Sequence, residues 1–204
     1  KLANPGHDQV DLLKHTSHIS VADAQGNWVS LTSSLNTSFG SKVTIPGTGI
    51  VMNNQMDDFA ADPGTANIYG LVQGRANAVA PGKRPLSSMT PALVLQNGQP
   101  ILTVGAAGGP LIINQVVQVI ARHILGQMPL DEALNYPRLH HQWSPATLYV
   151  EKNFPQDLRQ ALQAKGHELK TLSFEGSTNA VGRQNGEWMA VSEPRMVQRN
   201  EGQE

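Results

Sequence analysis

The run LLKHTSHISV, residues 12–21, places hydroxyl and imidazole side chains at the start of an alternating segment. A threonine hydroxyl is a poor nucleophile unless a base takes its proton. If the bond between His15 and Thr16 were cut, the new α-amine of Thr16 would supply that base, directly or through water. One residue would then provide both nucleophile and base. A threonine at a strand start also suits a purely structural role, so both interpretations stay open at this point.

Acids and amides follow the apolar residues 50–52, which we predict to form a strand, in the run MNNQMDDFA. Oriented acceptors such as Asp57 and Asp58 suit recognition of an ammonium group, and they equally suit a solvated turn. Paired acids also suit a metal ion, but no ligand cluster with usable spacing accompanies them. His140 and His141 are poor co-ligands because adjacent side chains diverge. The sequence therefore predicts no metal site.

Gly108 and Gly109 stand between a predicted strand and a predicted helix in ILTVGAAGGPLII, residues 101–113. Bare glycines at a helix N-terminus expose backbone N–H groups that can bind an anion. In acyl transfer that anion is the oxygen of the tetrahedral intermediate. The glycines would equally permit close packing. Neither GxxxxGK[ST] nor GxGxxG is present, so this is not a phosphate-binding loop.

Two further stretches are rich in hydroxyl groups. In TSSLNTSFGS, residues 32–41, Ser34 and Asn36 have the same strand parity and are expected to point the same way. In the loop GKRPLSSMTP, residues 82–91, Ser87 and Ser88 would donate hydrogen bonds to a carboxylate or simply form a turn. A polar strand face is the plainer interpretation of the first stretch.

A β-hairpin is predicted over residues 17–34, because apolar and polar residues alternate on both sides of the turn sequence DAQGN. If the five-residue loop closes the hairpin, the paired residue numbers sum to 50. Ala22 then faces Trp28, and Thr16 lies opposite Ser34. In that register Ser34 would hydrogen-bond the Thr16 hydroxyl and fix its rotamer.

Two Asn-Gly pairs, Asn97-Gly98 and Asn185-Gly186, mark further hairpins, since both residue types tolerate positive φ. Helices are predicted over residues 110–126, 130–135 and 155–165. Strands paired by hairpins, a long apolar helix and further strands together predict an α+β layered sandwich.

Composition restricts the class of protein. The chain of 204 residues is 39% hydrophobic and 15% charged, which is typical of one globular domain. A formal net charge of −1 gives no electrostatic reason to expect nucleic acid or an anionic membrane as a partner. The longest apolar stretch, residues 110–125, is too short and interrupted to span a bilayer. Without cysteine, neither a disulfide nor cysteine catalysis is available.

Several of these stretches, taken in order, resemble the small, catalytic subunit of the γ-glutamyltranspeptidase family of N-terminal nucleophile hydrolases. The matching runs are TSHISVADAQGNWVSLTSSLNTSFGS, PGTGIVMNNQMDDFA, GKRPLSSMTP, GAAGGPLII and YPRLHHQW. The resemblance implies a four-layer αββα fold and self-cleavage of a precursor between His15 and Thr16. Residues 1–15 would then be a precursor segment, and residues 16–204 the catalytic small-subunit domain.

The resemblance also implies roles for individual residues. Thr16 would be the nucleophile, and Ser34 stands where the family has a second threonine that supports it. Gly108 and Gly109 match the oxyanion hole, although GAAGG replaces a more usual Ser-Pro before the glycines, and TSH replaces TTH. The remaining matches concern the substrate: Asn36, Gln55 and Asp58 for the α-amino and α-carboxylate groups, Ser87 and Ser88 for the carboxylate end, and Tyr69 as the lid.

The resemblance implies hydrolysis of γ-glutamyl amides such as glutathione, and transfer of the γ-glutamyl group to an amino acid or peptide, with no metal or organic cofactor. The partner would be the large subunit of the same precursor, in a heterodimer, which supplies an arginine for the substrate α-carboxylate. A lid at Tyr69 resembles those of bacterial periplasmic members, so a periplasmic or secreted location is expected.

Two other functions remain. A cephalosporin acylase of the same architecture acts on a glutaryl side chain, which lacks an α-amino group, so Asp58 would have less purpose there. The second alternative is an unprocessed, inactive homologue with a binding or structural role, because residues 1–15 remain attached to the chain.

Overall fold

The hairpin that begins at Thr16 has the predicted register. In this computed structural model, β1 (Thr16–Ala22) pairs antiparallel with β2 (Trp28–Ser34), Thr16 lies opposite Ser34, and Ala22 lies opposite Trp28. The structure describes residues 16–172, 176–184 and 186–195. The predicted precursor segment, with His15, lies outside these described residues.

The Asn97-Gly98 hairpin is also confirmed. It joins β3 (Ala92–Gln96) to β4 (Gln99–Ala107), which pair antiparallel. Asn97 has a φ of 52° and Gly98 a φ of 79°. Two consecutive residues with positive φ are what a tight two-residue hairpin turn requires, and Asn and Gly adopt that conformation most readily.

The long apolar segment forms α1 (Leu111–Ile120), which runs on as a π-helical turn over Ala121–Leu125. This confirms the predicted helix. One stripe of α1 is buried, and its members are Leu111, Ile112, Gln115, Val116 and Val119. Within the described part of the chain, no helix has the length and apolar character needed to cross a membrane.

The two other predicted helices are present as α2 (Leu130–Asn135) and α3 (Gln156–Ala164). Between them lie β5 (Leu139–His140) and β6 (Thr147–Val150), and β7 (Glu168–Thr171) follows α3. β6 pairs antiparallel with β5 and parallel with β7. These three strands form a small sheet at one side of the molecule.

The main sheet is completed by β8 (Ser177–Gln184) and β9 (Glu187–Val191), which pair antiparallel across the predicted second Asn-Gly turn. Gly186 has a φ of 87°, and Asn185 lies outside the described residues. The strand order of this sheet is β3-β4-β8-β9. The central strand β4 ends at the two glycines that lead into α1, so the sheet places that turn.

The elements stack in layers, with α1 and α2 on one face of the main sheet and the β1–β2 hairpin on the other. Apolar residues of β4, β8, α1 and α2 form the core between the helices and the sheet: Leu102, Val104, Ala106, Ile112, Val116, Val119, Leu130, Leu134 and Ala180. The hairpin packs on the sheet through polar contacts, since Ser30 Oγ donates to Val104 O (3.2 Å) and Ser20 Oγ to Asn179 O (3.2 Å). The predicted α+β fold is confirmed.

The apolar residues of the hairpin lie on its other side. Ile19, Val21, Val29 and Leu31 are each about half exposed. Burial of apolar surface is the main force that holds layers together. This face of the β1–β2 hairpin therefore lacks a covering layer within the described residues, which supply one helical layer and two β layers.

Candidate active site

One cavity of about 310 Å³ lies where β1, β2 and the start of α1 come together. Nearly all the predicted site residues line it; the exceptions are Gly108, which adjoins it in sequence, and His15, which lies outside the described residues. The lining residues are Thr16, Ser34, Asn36, Gln55, Asp58, Tyr69, Leu71, Gln73, Leu86, Ser87, Ser88, Met89, Gly109, Ile112 and Ile113. Residues from separate parts of the chain thus meet at one place.

Thr16 is the first residue of β1, and its hydroxyl meets that of Ser34. The two oxygens lie 2.9 Å apart. The backbone N–H of Asn36 donates to Ser34 Oγ at 2.9 Å and occupies one of its lone pairs. If Ser34 donates its own proton to Thr16 Oγ1, the Thr16 proton stays available to a base. This arrangement suits a hydroxyl that has to become a nucleophile.

Asn36 reaches the cavity by a route that strand parity does not describe. β2 ends at Ser34, and Asn36 has a φ of 75°, so the chain has already turned. The prediction that Ser34 and Asn36 share one strand face was wrong in its geometry, although both residues line the cavity. Asn tolerates this left-handed conformation better than most residues. Asn36 Nδ2 donates to Asn54 O at 3.3 Å, which ties the turn to the acidic segment.

The acidic segment is a single 3-10 turn over Gln55–Asp58. The strand predicted over residues 50–52 was wrong, because Val51 makes only an isolated bridge to Thr44. Gln55 and Asp58 both line the cavity. Half-burial, followed by the charge of neighbouring Asp57, raises the pKa of Asp58 to about 6. A partly desolvated carboxylate of this kind is well placed to bind an ammonium group.

Tyr69 covers one side of the cavity. Its hydroxyl donates to Asn36 O at 2.8 Å, and its ring lies 3.1 Å from where a Cβ on Gly109 would be. Burial, with the charge of Asp58, raises the pKa of Tyr69 to about 12, so its phenol stays protonated and able to donate. The predicted lid residue therefore bridges the end of β2 and the glycine turn.

The glycine turn lies between the end of β4 and the start of α1. Gly108 has a φ of 131° and Gly109 a φ of 56°, conformations that residues with a side chain rarely adopt. Their carbonyls accept from Leu111 N and Ile112 N, both at 3.1 Å. Neither glycine N–H donates to an acceptor among the described residues. These two N–H groups are thus available to an anion.

Ser87 and Ser88 lie in an irregular loop on the cavity wall. Ser87 Oγ accepts from Met89 N at 3.1 Å, and Thr90 Oγ1 donates to Ser88 O at 2.9 Å. The first contact uses the Ser87 oxygen as an acceptor and leaves its proton free to donate. The structure therefore sets hydroxyl donors against the cavity that Asp58 also lines.

Gln115 supports the glycine turn and was not singled out in the sequence. It is fully buried, and its Nε2 donates to Ala107 O at 3.0 Å. Its Oε1 accepts from Thr178 Oγ1 (2.9 Å) and from Arg138 Nη1 (2.9 Å), and Arg138 forms a buried ion pair with Glu193 (2.9 Å). The available signal was a lone amide in the otherwise apolar stripe of α1.

Asn77 is the second buried amide that sequence reasoning missed. It is 6% exposed and lies behind the cavity wall, where it bonds the backbone of both Asp58 and Leu86. Its run, GRANAVAPGK, has no periodicity or motif that would distinguish it from an ordinary loop. Its partners lie in two other segments, so only the folded chain reveals it.

The histidine pair diverges, as predicted. His140 is buried and bonded to Asn114 (2.6 Å) and Gln142 (2.9 Å), whereas His141 is exposed. Within the described ranges, no three histidine, aspartate or glutamate side chains are grouped so as to hold a metal ion.

Known proteins match nearly the whole chain. The sequence profile described as gamma-glutamyltranspeptidase matches residues 4–202. The glutathione hydrolase proenzyme of Escherichia coli (strain K12) is 46% identical over 183 residues, which are 89% of this chain and 32% of that protein. The matched segment thus spans about a third of the length of that relative.

Solved structures are similar as well. A mutant of the Helicobacter pylori gamma-glutamyltranspeptidase is 44% identical with a TM-score of 0.81, over 87% of this chain and 98% of that one. The cephalosporin acylase of Bacillus halodurans is 32% identical with a TM-score of 0.74, over 87% of this chain and 32% of that one.

Proposed function

The chain belongs to the γ-glutamyltranspeptidase family, and from this membership we propose that it forms the catalytic part of an enzyme that hydrolyses γ-glutamyl amides such as glutathione. The same enzyme would transfer the γ-glutamyl group to amino acids or peptides. The observation that carries the proposal is the Thr16 hydroxyl, held 2.9 Å from Ser34 at the edge of a cavity with an acid, two serines and a glycine turn on its walls.

The reaction begins after the bond between His15 and Thr16 is cut. The new α-amine takes the proton of Thr16 Oγ1, and the oxygen attacks the γ-carbonyl carbon of the substrate. The tetrahedral oxyanion accepts hydrogen bonds from the free N–H groups of Gly108 and Gly109. As the C–N bond breaks, the Thr16 ammonium returns the proton to the leaving amine, and a γ-glutamyl ester of Thr16 remains.

The second half of the reaction reverses these roles. The Thr16 amine takes a proton from water, or from the amine of an acceptor amino acid or peptide, which then attacks the ester carbonyl. The same glycine N–H groups bind the second oxyanion, and Thr16 Oγ1 leaves with its proton restored. Every step uses groups of the chain itself, so no metal or organic cofactor is needed.

Recognition of the γ-glutamyl group uses polar side chains on two segments of the cavity wall. The Asp58 carboxylate binds the α-ammonium, with Asn36 and Gln55 as further polar contacts. The hydroxyls of Ser87 and Ser88 donate to the α-carboxylate. Tyr69, held on Asn36, covers the substrate beside the glycine turn. Their common position around one cavity supports these assignments.

The proposed partner is the large subunit of the same precursor, in a heterodimer. Ile19, Val21, Val29 and Leu31 form an apolar face of the β1–β2 hairpin that is half exposed, which supports a further layer against it. The Escherichia coli relative is also about three times as long as the matched segment. We extend the proposal to a periplasmic or secreted location, which fractionation of expressing cells would test.

A related acylase is the second candidate, and the similarity to the Bacillus halodurans cephalosporin acylase favours it. Hydrolysis rates of γ-glutamyl anilide and glutaryl anilide by the full-length protein would separate the two functions. The two compounds differ in the α-amino group, so Asp58 should make the γ-glutamyl compound the better substrate. Faster hydrolysis of glutaryl anilide would contradict the proposal and favour the acylase.

A further inference from the structure

The amide of Asn77 joins three residues of the cavity wall without lining the cavity itself. Its Nδ2 donates to Asp58 O at 2.7 Å and also to Gln73 Oε1, and its Oδ1 accepts from Leu86 N at 3.0 Å. Asp58, Gln73 and Leu86 all line the cavity. Asn77 is 6% exposed, so water screens these bonds little.

The two backbone contacts of this amide belong to the two wall segments that are assigned to the α-carbon of the substrate. Asp58 is the acid assigned to the α-ammonium, and Leu86 directly precedes Ser87 and Ser88, assigned to the α-carboxylate. Among the described residues, no hydrogen bond joins residues 55–58 directly to residues 86–88. The Asn77 side chain is therefore the hydrogen-bonded link between them.

The backbone around Asn77 is itself fixed. Asn77 O accepts from Ala60 N at 3.0 Å, which ties it to the chain just after the acidic turn. Lys83 Nζ donates to Ala76 O at 3.0 Å, which closes the loop between Asn77 and the serines. A side chain anchored in this way can hold two segments at a set separation.

We propose that Asn77 is a positioning residue that sets the spacing between the Asp58 carboxylate and the hydroxyls of Ser87 and Ser88. It thereby selects substrates that carry an α-ammonium and an α-carboxylate on one carbon atom. This role rests on the proposed function, since it assigns Asp58 and the two serines to the same substrate. An amide suits it because the donor and the acceptor are separate atoms, so Nδ2 reaches Asp58 O while Oδ1 accepts from Leu86 N. An ionised carboxylate has no donor.

Kinetics of the full-length protein with γ-glutamyl anilide and glutaryl anilide test the inference. Asn77→Ala should raise KM for γ-glutamyl anilide about tenfold, because two wall segments lose a buried partner. KM for the glutaryl compound, which lacks the α-ammonium, should change about twofold at most. Self-cleavage before Thr16, followed by intact mass, should remain complete, because it does not use the groups that bind the substrate α-carbon.

Asn77→Asp provides a second variant of the same size, in case the alanine variant does not fold. It can still accept from Leu86 N but cannot donate to Asp58 O, and it adds a negative charge near Asp58. The added charge should raise the pKa of Asp58. KM for γ-glutamyl anilide, which should rise when Asp58 is protonated, would then begin to rise at a higher pH than in the wild type. Thr48→Ala is the matched control, since Thr48 also bonds two backbone groups, of Ile45 and Ile50, in a loop outside the cavity wall.

The possible outcomes distinguish a failure of the proposed function from a failure of the positioning role of Asn77. A wild-type protein that does not hydrolyse γ-glutamyl anilide would overturn the proposed function. An active wild type with an unchanged KM in both Asn77 variants would overturn the positioning role alone. Equal losses on both anilides, or lost self-cleavage, would mean a general structural role and would also overturn it.

Discussion

The hydroxyl oxygens of Thr16 and Ser34 lie 2.9 Å apart at directly opposed positions of the β1–β2 ladder. Ser34 is held in turn by the Asn36 backbone N–H at 2.9 Å. The sheet register therefore fixes the rotamer of the proposed nucleophile. A slip by one residue would turn Thr16 to the other face of the hairpin and separate it from the cavity.

Ser34→Ala should lower kcat for γ-glutamyl anilide about 10- to 100-fold. Thr16 Oγ1 then loses the hydroxyl that orients it and that keeps the Thr16 proton available to the amine. KM should change little, since the substrate contacts remain. Ser34→Thr keeps the hydroxyl and should retain most of the activity. Steady-state kinetics of both variants check this, and a Ser34→Ala enzyme with the wild-type kcat would exclude the assigned role.

Binding of γ-glutamyl substrates should weaken as the pH falls through about 6, where Asp58 becomes protonated. A neutral carboxyl no longer balances the substrate ammonium, so KM should rise on the acid side. The pH profile of KM, measured with γ-glutamyl anilide, checks this expectation. In Asp58→Asn the KM should be raised by about tenfold or more and lose this pH dependence. A variant that kept the acid limb would assign it to another group.

The same carboxyl should cost folding stability at neutral pH. Burial raises the pKa of Asp58 from 3.8 to about 6, so the folded state binds its proton more tightly than the unfolded state. The stabilisation that the bound proton gives to the folded state is fully present below pH 3.8, and it is lost as the pH rises through about 6. Asp58→Asn should therefore raise the melting temperature at pH 8 but not at pH 3.5, by calorimetry. An unchanged melting temperature at pH 8 would contradict the desolvation of this group.

Gly105→Ala should destabilise the protein by about 1–3 kcal/mol, since an added methyl group would overlap the His18 ring. His18 is buried between the hairpin and the main sheet and bonds Thr32 Oγ1 at 2.8 Å, and burial lowers its pKa to about 4, so the ring is neutral. Urea unfolding measures the change. Gly74→Ala is the control, because a Cβ there meets nothing within 4 Å, and equal stability of the two variants would contradict the packing argument.

The sequence predicted best what local patterns determine. Alternation and the DAQGN turn placed Thr16 opposite Ser34, and Asn97-Gly98 placed the β3–β4 hairpin. The apolar run predicted α1 because its 3.6-residue periodicity does not depend on distant partners. These elements carry the nucleophile and the glycine turn, but the two meet only because the hairpin packs on the main sheet.

What depends on distant contacts was not predictable in this way. Asn36 leaves the strand with a positive φ that Asn54 and Tyr69 stabilise from other segments. Gln115 and Asn77 act through partners far away in the sequence, and a buried amide looks like any surface amide until those partners are known. The outward-facing apolar side of the β1–β2 hairpin is likewise visible only once its polar side is seen to pack on the main sheet.

The most direct test of Thr16 as the nucleophile is the intact mass of the full-length protein, with the N-terminal sequence of each fragment. We expect two fragments, one of which begins at Thr16 and gains a γ-glutamyl group transiently during turnover. The Thr16→Ala protein should stay as one inactive chain. An active wild-type protein with an uncut bond before Thr16, or a Thr16→Ala protein that still cleaves itself there, would contradict Thr16 as the nucleophile.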